Sequence, residues 1–261
     1  IRLPESNPEF IFSYYAVWGS SGELYWTSLS TGKTSSVALP SCDFIHSCSW
    51  CEVPGRSLYF TGGLTSYEHD KVHSIECTKD FAVLSKPSLR TGRGLHSSLY
   101  FRGFIYVVGG SLYGTFEQQF DRFNLATQHW SALPSIPSTS SRHEGLFAVE
   151  ETQTLYTLKN KDRSPKCIKQ FSVLTNEWTS LRLSLPYAGS NISTFVVDSK
   201  RYIVFDDTLF KLDVTREEIT KVKTLRGVVK SFFGPSYYSK GILYTSNDNG
   251  SPYQFKVGSL T

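Results

Sequence analysis

Short apolar runs closed by polar or glycine-rich stretches recur along the whole chain. The clearest is RGFIYVVGG, residues 102–110: an arginine and a glycine, the run Phe104–Val108, then Gly109-Gly110. A short run rich in β-branched and aromatic residues fits a strand buried on both faces. Similar runs are SLYFTGG (57–63), TLYTLKN (154–160), RYIVFDD (201–207) and ILYTSND (242–248), with YAVWGS (15–20) as a further candidate. Each is followed, after a loop, by another strand with a large residue near its centre. Phe123 opens FNLATQHW and Phe171 opens FSVLTNEW, each with tryptophan seven residues on; weaker counterparts centre on Thr27, Ile75, Leu212 and Phe255. These six anchors are separated by 48, 48, 48, 41 and 43 residues. Polar stretches such as TREEIT are too short, and lack the apolar stripe, for helices.

Each unit also has an opening strand, as in LHSSLYF (95–101), HEGLFAV (143–149) and NISTFVV (191–197), and a closing strand that runs into leucine-proline, as in SALPSIP and SSVALPS. A four-stranded sheet of this size cannot bury both faces alone, whereas sheets packed around an axis can. The expected fold is all-β: a six-bladed β-propeller of four-stranded antiparallel blades. The blades are expected at about 6–40, 41–89, 90–138, 139–186, 187–226, and 227–261 together with 1–5. NPEFIFSYYAV leaves little room for two strands, so the first blade is expected to be incomplete. IRLP reads like the end of a closing strand, so residues 1–5 are expected to complete the last blade and clasp the ring.

These residues resemble the kelch repeat. A double glycine after an aliphatic strand, then an aromatic residue and a tryptophan seven positions later, is the kelch pattern, and RGLHSS (93–98) is similar to the arginine and histidine that open its first strand. The third unit, 90–138, carries every element. The fourth keeps Arg142-His143, Phe171 and Trp178 but has Lys159-Asn160 for the glycines, the second keeps Gly62-Gly63 without the tryptophan, and the fifth and sixth keep only spacing. The resemblance implies a propeller, and the contexts it implies are substrate receptor of a ubiquitin ligase, with a BTB or F-box domain elsewhere in the protein, or cytoskeletal scaffold. It also implies an alternative, since some kelch-like propellers are copper oxidases or sugar mutarotases.

Composition narrows the function. Hydrophobic residues make up 39% and aromatics 15% of 261 residues, enough for a substantial core. The net charge of +4 is dispersed, so a nucleic-acid tail or polybasic membrane anchor is not expected, and no apolar run reaches membrane-span length. There is no methionine, so Ile1 is not a native start and the chain is expected to be part of a longer protein. Five scattered cysteines (42, 48, 51, 77, 167) fit a reducing, cytoplasmic compartment better than a disulfide framework. Cys48 and Cys51 form C-x-x-C, but in a strand positions three apart point to opposite faces.

No catalytic constellation is legible, and no catalytic residue, metal or cofactor is expected. The double glycines lack the G-K-[ST] and the following helix that a phosphate loop needs, so they are read as turns that require positive φ or that avoid a collision with the next blade. His69 and His73 have metal-ligand spacing only on a helix. His96 and His143 are read as packing or hydrogen-bonding residues. Paired acids such as Glu150-Glu151 fall beside turns and are read as solvated.

A non-enzymatic interaction module remains. Because strands alternate in direction, loops after second strands share one face with the loops that link blades. That face collects tyrosines and arginines, the residues that interfaces favour. The expected partner-binding residues are Tyr67, Arg90, Arg93, Tyr113, Glu117, Arg142, Lys161, Arg163, Tyr187 and Arg226. Cations outnumber acids there, so the expected ligand is a protein or peptide segment of acidic character.

Overall fold

A computed structural model describes residues 10–16, 22–39, 47–55, 57–64, 69–77, 81–112, 115–116, 118–137, 144–159, 167–184, 192–198, 200–205, 207–225, 236–246 and 252–260. The described residues contain strands and turns and no helix. Blade 1 is built of β1 (Phe10–Tyr15), β2 (Glu23–Ser28) and β3 (Thr34–Ala38). Blade 2 is built of β4 (Ser49–Val53), β5 (Ser57–Thr61), β6 (Val72–Glu76) and β7 (Ala82–Lys86). Blade 3 has β8 (Ser97–Phe101), β9 (Phe104–Val108), β12 (Phe120–Asn124) and β13 (His129–Leu133), with a small ribbon of β10 (Ser111–Leu112) and β11 (Thr115–Phe116) above it. Blade 4 has β14 (Glu144–Val149), β15 (Thr154–Lys159), β16 (Cys167–Ser172) and β17 (Glu177–Ser184). Blade 5 has β18 (Ile192–Val197), β19 (Lys200–Phe205), β20 (Thr208–Asp213) and β21 (Glu218–Thr224). Blade 6 has β22 (Tyr237–Ser239), β23 (Ile242–Ser246) and β24 (Pro252–Lys256). Every pairing is antiparallel, between successive strands of a blade (β9 with β12 in blade 3, past the β10–β11 ribbon), and the six sheets close into a six-bladed propeller.

The repeat has a physical basis in what lies between the blades. Blade 1 packs Phe12, Tyr14 and Leu24 against Trp50, Leu58, Phe60 and Ile75 of blade 2. Blade 2 packs Tyr59 and Val72 against Ile105, Val107 and Phe123 of blade 3. Phe120 and Tyr106 of blade 3 meet Leu155 and Phe171 of blade 4, with Phe120 and Phe171 edge-to-face at 4.8 Å. Further cores join blades 4 and 5 through Leu158, Leu183 and Ile203, and blades 5 and 6 through Leu209, Leu225, Leu243 and Phe255. The anchors Phe123 and Phe171 are completely buried, where truncation to alanine destabilises by about 3–5 kcal/mol.

The tryptophans seven residues after these anchors act between blades. Trp130 Nε1 donates to the Pro87 carbonyl at 2.8 Å, and Trp178 Nε1 to the Pro134 carbonyl at 2.7 Å. Each acceptor belongs to the proline that ends the preceding blade, Lys86-Pro87 in one case and Leu133-Pro134 in the other, so the closing prolines and the tryptophans form one repeated staple. The acids beside the turns are likewise not merely solvated: Glu150 pairs with Arg102 of blade 3 at 2.6 Å and Glu151 with Arg201 of blade 5 at 3.1 Å.

Two features depart from a uniform ring. The second strand of blade 1 is FIFSYY, ahead of the YAVWGS candidate, because Phe12 and Tyr14 alternate onto the blade 2 side. The register Ile11↔Thr27 matches Leu58↔Ile75 and Ile105↔Phe123, so β1 to β3 occupy second, third and fourth positions. Inner strands β4, β8, β14, β18 and β22 are neighbours around the axis, and among the described residues blade 1 adds none. Across that position Tyr237 of blade 6 donates to Glu52 of blade 2 at 2.9 Å, while β1 and β2 lie beside β23 and β24. The expected clasp, residues 1–5, lies outside the described residues.

Candidate protein-binding face

The loops after second strands and the links between blades meet on one face, and the backbone stitches them together. In the segment linking blades 2 and 3, Leu89 N–H donates to Asp70 C=O at 2.7 Å and Arg93 N–H to His69 C=O at 3.0 Å. Gly63 N–H donates to Arg93 C=O at 2.9 Å. One residue further, Gly94 and Ser111 exchange both backbone hydrogen bonds, at 3.2 and 2.8 Å.

Such close backbone approach explains the double glycines. Gly62 and Gly63 have φ of +56° and +126°, and Gly109 and Gly110 of +67° and +109°, a region costly to side-chain-bearing residues. A Cβ on Gly62 would meet the Arg93 carbonyl oxygen and the His96 ring; one on Gly110 would meet the Gly94 carbonyl oxygen and His96 Cβ. The glycines admit the chain entering the next blade. His96 is buried and shares a 2.7 Å hydrogen bond with Thr61 Oγ1, the hydrogen-bonding role expected of it.

Arg93, expected to face a partner, is instead fully buried. Its guanidinium meets the Asp121 carboxylate and reaches the carbonyls of Gly109 and Gln119 at 3.5 and 3.4 Å. A charge removed from water in this way is held by pairing, so Arg93 anchors the link between blades and leaves no surface for a ligand. Arg90 lies on the same carboxylate at 3.2 Å, but its side chain is 50% exposed whereas that of Asp121 is 3%. Two guanidiniums share one carboxylate, so the cluster carries one excess positive charge, and its accessible end is Arg90. Nearby, His69 is held below the usual imidazole range by burial and then by the Lys71 charge. Tyr67, Tyr113, Glu117, Arg142, Lys161, Arg163, Tyr187 and Arg226 lie outside the described residues.

The other chemical candidates separate. Cys48 borders the core between blades 1 and 2, whereas Cys51 is buried in the core between blades 2 and 3, so the C-x-x-C does not converge. Burial pushes the thiols of Cys51 and Cys77 up to about 12. Among the described residues no three His, Cys, Asp or Glu side chains come together to hold a metal ion, and no helix is long and apolar enough to cross a membrane. Asp121 was missed from sequence. Its only signal was a carboxylate between Phe120 and the anchor Phe123, where a strand buried on both faces calls for a partner.

A kelch motif is recognised over residues 92–137, the blade with the complete pattern. A kelch repeat-containing protein of Arabidopsis thaliana is 23% identical over 219 residues, covering 82% of this chain and 47% of that protein. A putative F-box/kelch-repeat protein of the same plant is 24% identical over 171 residues, covering 62% of this chain and 50% of that protein. The chain thus spans about half the length of the curated relatives it matches. With the motif placed on a complete blade, and kelch-repeat relatives matched across most of the chain, this six-bladed β-propeller is similar to the kelch-repeat proteins.

Proposed function

We propose that this propeller is a non-enzymatic protein-interaction module, binding an acidic peptide or protein segment on the face where the inter-blade links cross. The observation that supports the acidic preference is the Arg90–Asp121–Arg93 cluster, whose excess positive charge is presented by half-exposed Arg90. A cation already oriented by a buried carboxylate loses little freedom on meeting a second carboxylate, which favours charge-assisted recognition. Arg142, Lys161, Arg163 and Arg226, with Tyr67, Tyr113, Glu117 and Tyr187, complete the proposed surface. One relative's name joins an F-box to kelch repeats, which supports the substrate-receptor context over the scaffold. In that reading the propeller selects a cytoplasmic substrate and a domain elsewhere in the protein engages the ubiquitin ligase. No observation favours the copper-oxidase or mutarotase alternative.

The test is a peptide array probed with the propeller and with Arg90→Glu. Acidic peptides should dominate the captured set, and the variant should bind them about tenfold more weakly while melting within about 4 °C of the parent. Capture indifferent to peptide charge, or equal capture by parent and variant, would refute the reading.

A further inference from the structure

Two junctions between neighbouring inner strands are closed by paired serines. Ser49 of β4 meets Ser98 of β8 at 2.8 Å, and Ser193 of β18 meets Ser236, the residue before β22, at 2.5 Å, hydroxyl to hydroxyl in both. Blades 6 and 2 are joined by different chemistry: the Tyr237 hydroxyl donates to the Glu52 carboxyl at 2.9 Å. Strand alternation aims both side chains at the inner position of blade 1. Trp50 packs toward blade 1, whereas Cys51 and Val53 pack toward blade 3, so Glu52 shares the blade 1 side of β4 with Trp50. Ser236 faces blade 5, so Tyr237 faces the opposite way. The contact is therefore a direct bridge between two inner strands that are not consecutive blades, and its acceptor can ionise.

The surroundings give that carboxyl a hydrogen-bond donor and, among the described residues, no cation. On blade 2 its neighbours are the thiols of Cys51 and Cys77, both pushed up by burial to about 12 and so neutral. Leu58 lies opposite Glu52 and Ile75 opposite Leu58, with His73 two residues further along that side of β6 and Glu76 exposed. β22 and β23 carry no charged residue, and Tyr244 lies opposite Tyr237. The strands of blade 1 carry one charge, Glu23, which accepts from the hydroxyls of Tyr25 and Ser36 at 2.6 and 2.8 Å. β24 carries Lys256, which is exposed. Burial lifts the Glu52 carboxyl above its ordinary range, and the Tyr237 hydroxyl offsets part of that lift.

We propose that the Glu52–Tyr237 contact is a proton-controlled latch: a protonated Glu52 holds the inner ring closed between blades 6 and 2, and its ionisation loosens that junction. The neutral carboxyl accepts from Tyr237 at little cost in a partly buried site, whereas the carboxylate gains from leaving it for water. Opening hydrates Glu52 and returns it to its ordinary range, so the closed state holds a proton that the open state releases. Opening is then favoured as pH rises above the ordinary carboxylate range, by at most about tenfold for each pH unit, until the carboxyl is ionised in the closed state too. Because β1 and β2 lie beside β23 and β24, a loosened junction also frees blade 1 between its neighbours. The serine pairs at the other junctions carry no such dependence.

Amide hydrogen exchange of the intact protein, corrected for the intrinsic effect of pH, tests this. In the parent, β4 and β22 should exchange ahead of β12, and their protection should fall about tenfold between about pH 5 and about pH 8. Glu52→Gln keeps an acceptor for Tyr237 without the charge, so its β4 and β22 should stay protected across that range. Tyr237→Phe removes the donor and should lower their protection about fivefold at about pH 5, with β12 unchanged. The same pH response in the parent and in Glu52→Gln would overturn the latch, as would a parent without one. Protection unmoved by Tyr237→Phe would show that the contact holds nothing. Exchange of β4 and β22 only at the rate of β12 would show that the junction does not open by itself, and the proposal would fall.

Discussion

Replacing Arg93 by methionine should destabilise the propeller far more than the same change at Arg90, although both arginines touch one carboxylate. Arg93 is fully buried and Asp121 nearly so, and the arginine also approaches the carbonyls of Gly109 and Gln119. Removing one member of a buried ion pair costs up to about 3–5 kcal/mol, and here Asp121 would keep only half-exposed Arg90 as its partner. For a domain of this size each kcal/mol shifts the midpoint by about 2–4 °C, so the melting temperature should fall by up to about 6–20 °C. At Arg90 the half-exposed pair is worth about 0–1 kcal/mol, a shift of at most about 4 °C. Arg93→Met/Asp121→Leu should recover much of the loss, because a buried ion pair can be exchanged for apolar packing at little net change. Thermal and urea unfolding, followed by tryptophan fluorescence, reads all three variants. If Arg93→Met melts within about 2 °C of the parent, the buried pair contributes nothing to holding blades 2 and 3 together, and the structural role given to Arg93 is wrong.

Two further outcomes are expected. Burial raises the Glu52 carboxyl above its ordinary range, with the Tyr237 hydroxyl pulling the other way. A raised carboxyl pKa favours the folded state fully below the unfolded value, and that contribution is lost as pH rises through the folded one. Glu52→Gln should therefore flatten the decline in stability above the ordinary carboxylate range, and urea midpoints that respond to pH identically in parent and variant would contradict this. Gly62→Ala should lose more stability than Gly32→Ala: both have positive φ, a penalty of about 1–2 kcal/mol, but only at Gly62 does the new Cβ also meet backbone. Equal losses by urea unfolding would remove the close approach as the reason for that glycine.

The architecture was legible because it is written in residues that repeat. Six anchors at regular spacing placed six third strands, and Phe123 and Phe171 lie in inter-blade cores as that spacing requires. The double glycines were legible as turns because φ and close approach are local demands. Arg93 was misplaced because sequence shows that a charge sits in a loop segment but not that the segment folds inward onto Asp121, a contact made 28 residues away. The Trp130 and Trp178 staples were half legible: the tryptophan period and the leucine-proline ending at Pro134 were visible, but Pro87 follows a lysine and each hydrogen bond crosses from one blade to the next. The bulge at Val222 left no mark in EITKVKT, because an alternating strand and a strand carrying one extra residue read alike until the partner is known.

The kelch pattern and the proposed binding residues of this face are different residues, and the geometry explains why. Gly62, Gly63, Gly109 and Gly110 are committed to letting one segment cross another, Arg93 and His96 to holding that segment, and Trp130 to stapling neighbouring blades. A residue whose polar atoms are spent inside the ring has none left for a ligand. The stronger the motif, the less its residues can recognise. In the proposed function, recognition falls to positions that the repeat leaves unspecified, such as Arg90, three residues before the motif arginine and held by the same aspartate. This coupling has a consequence for experiment: a charge reversal at Arg93 that abolished binding would report a damaged ring, whereas one at Arg90 with melting preserved would report recognition.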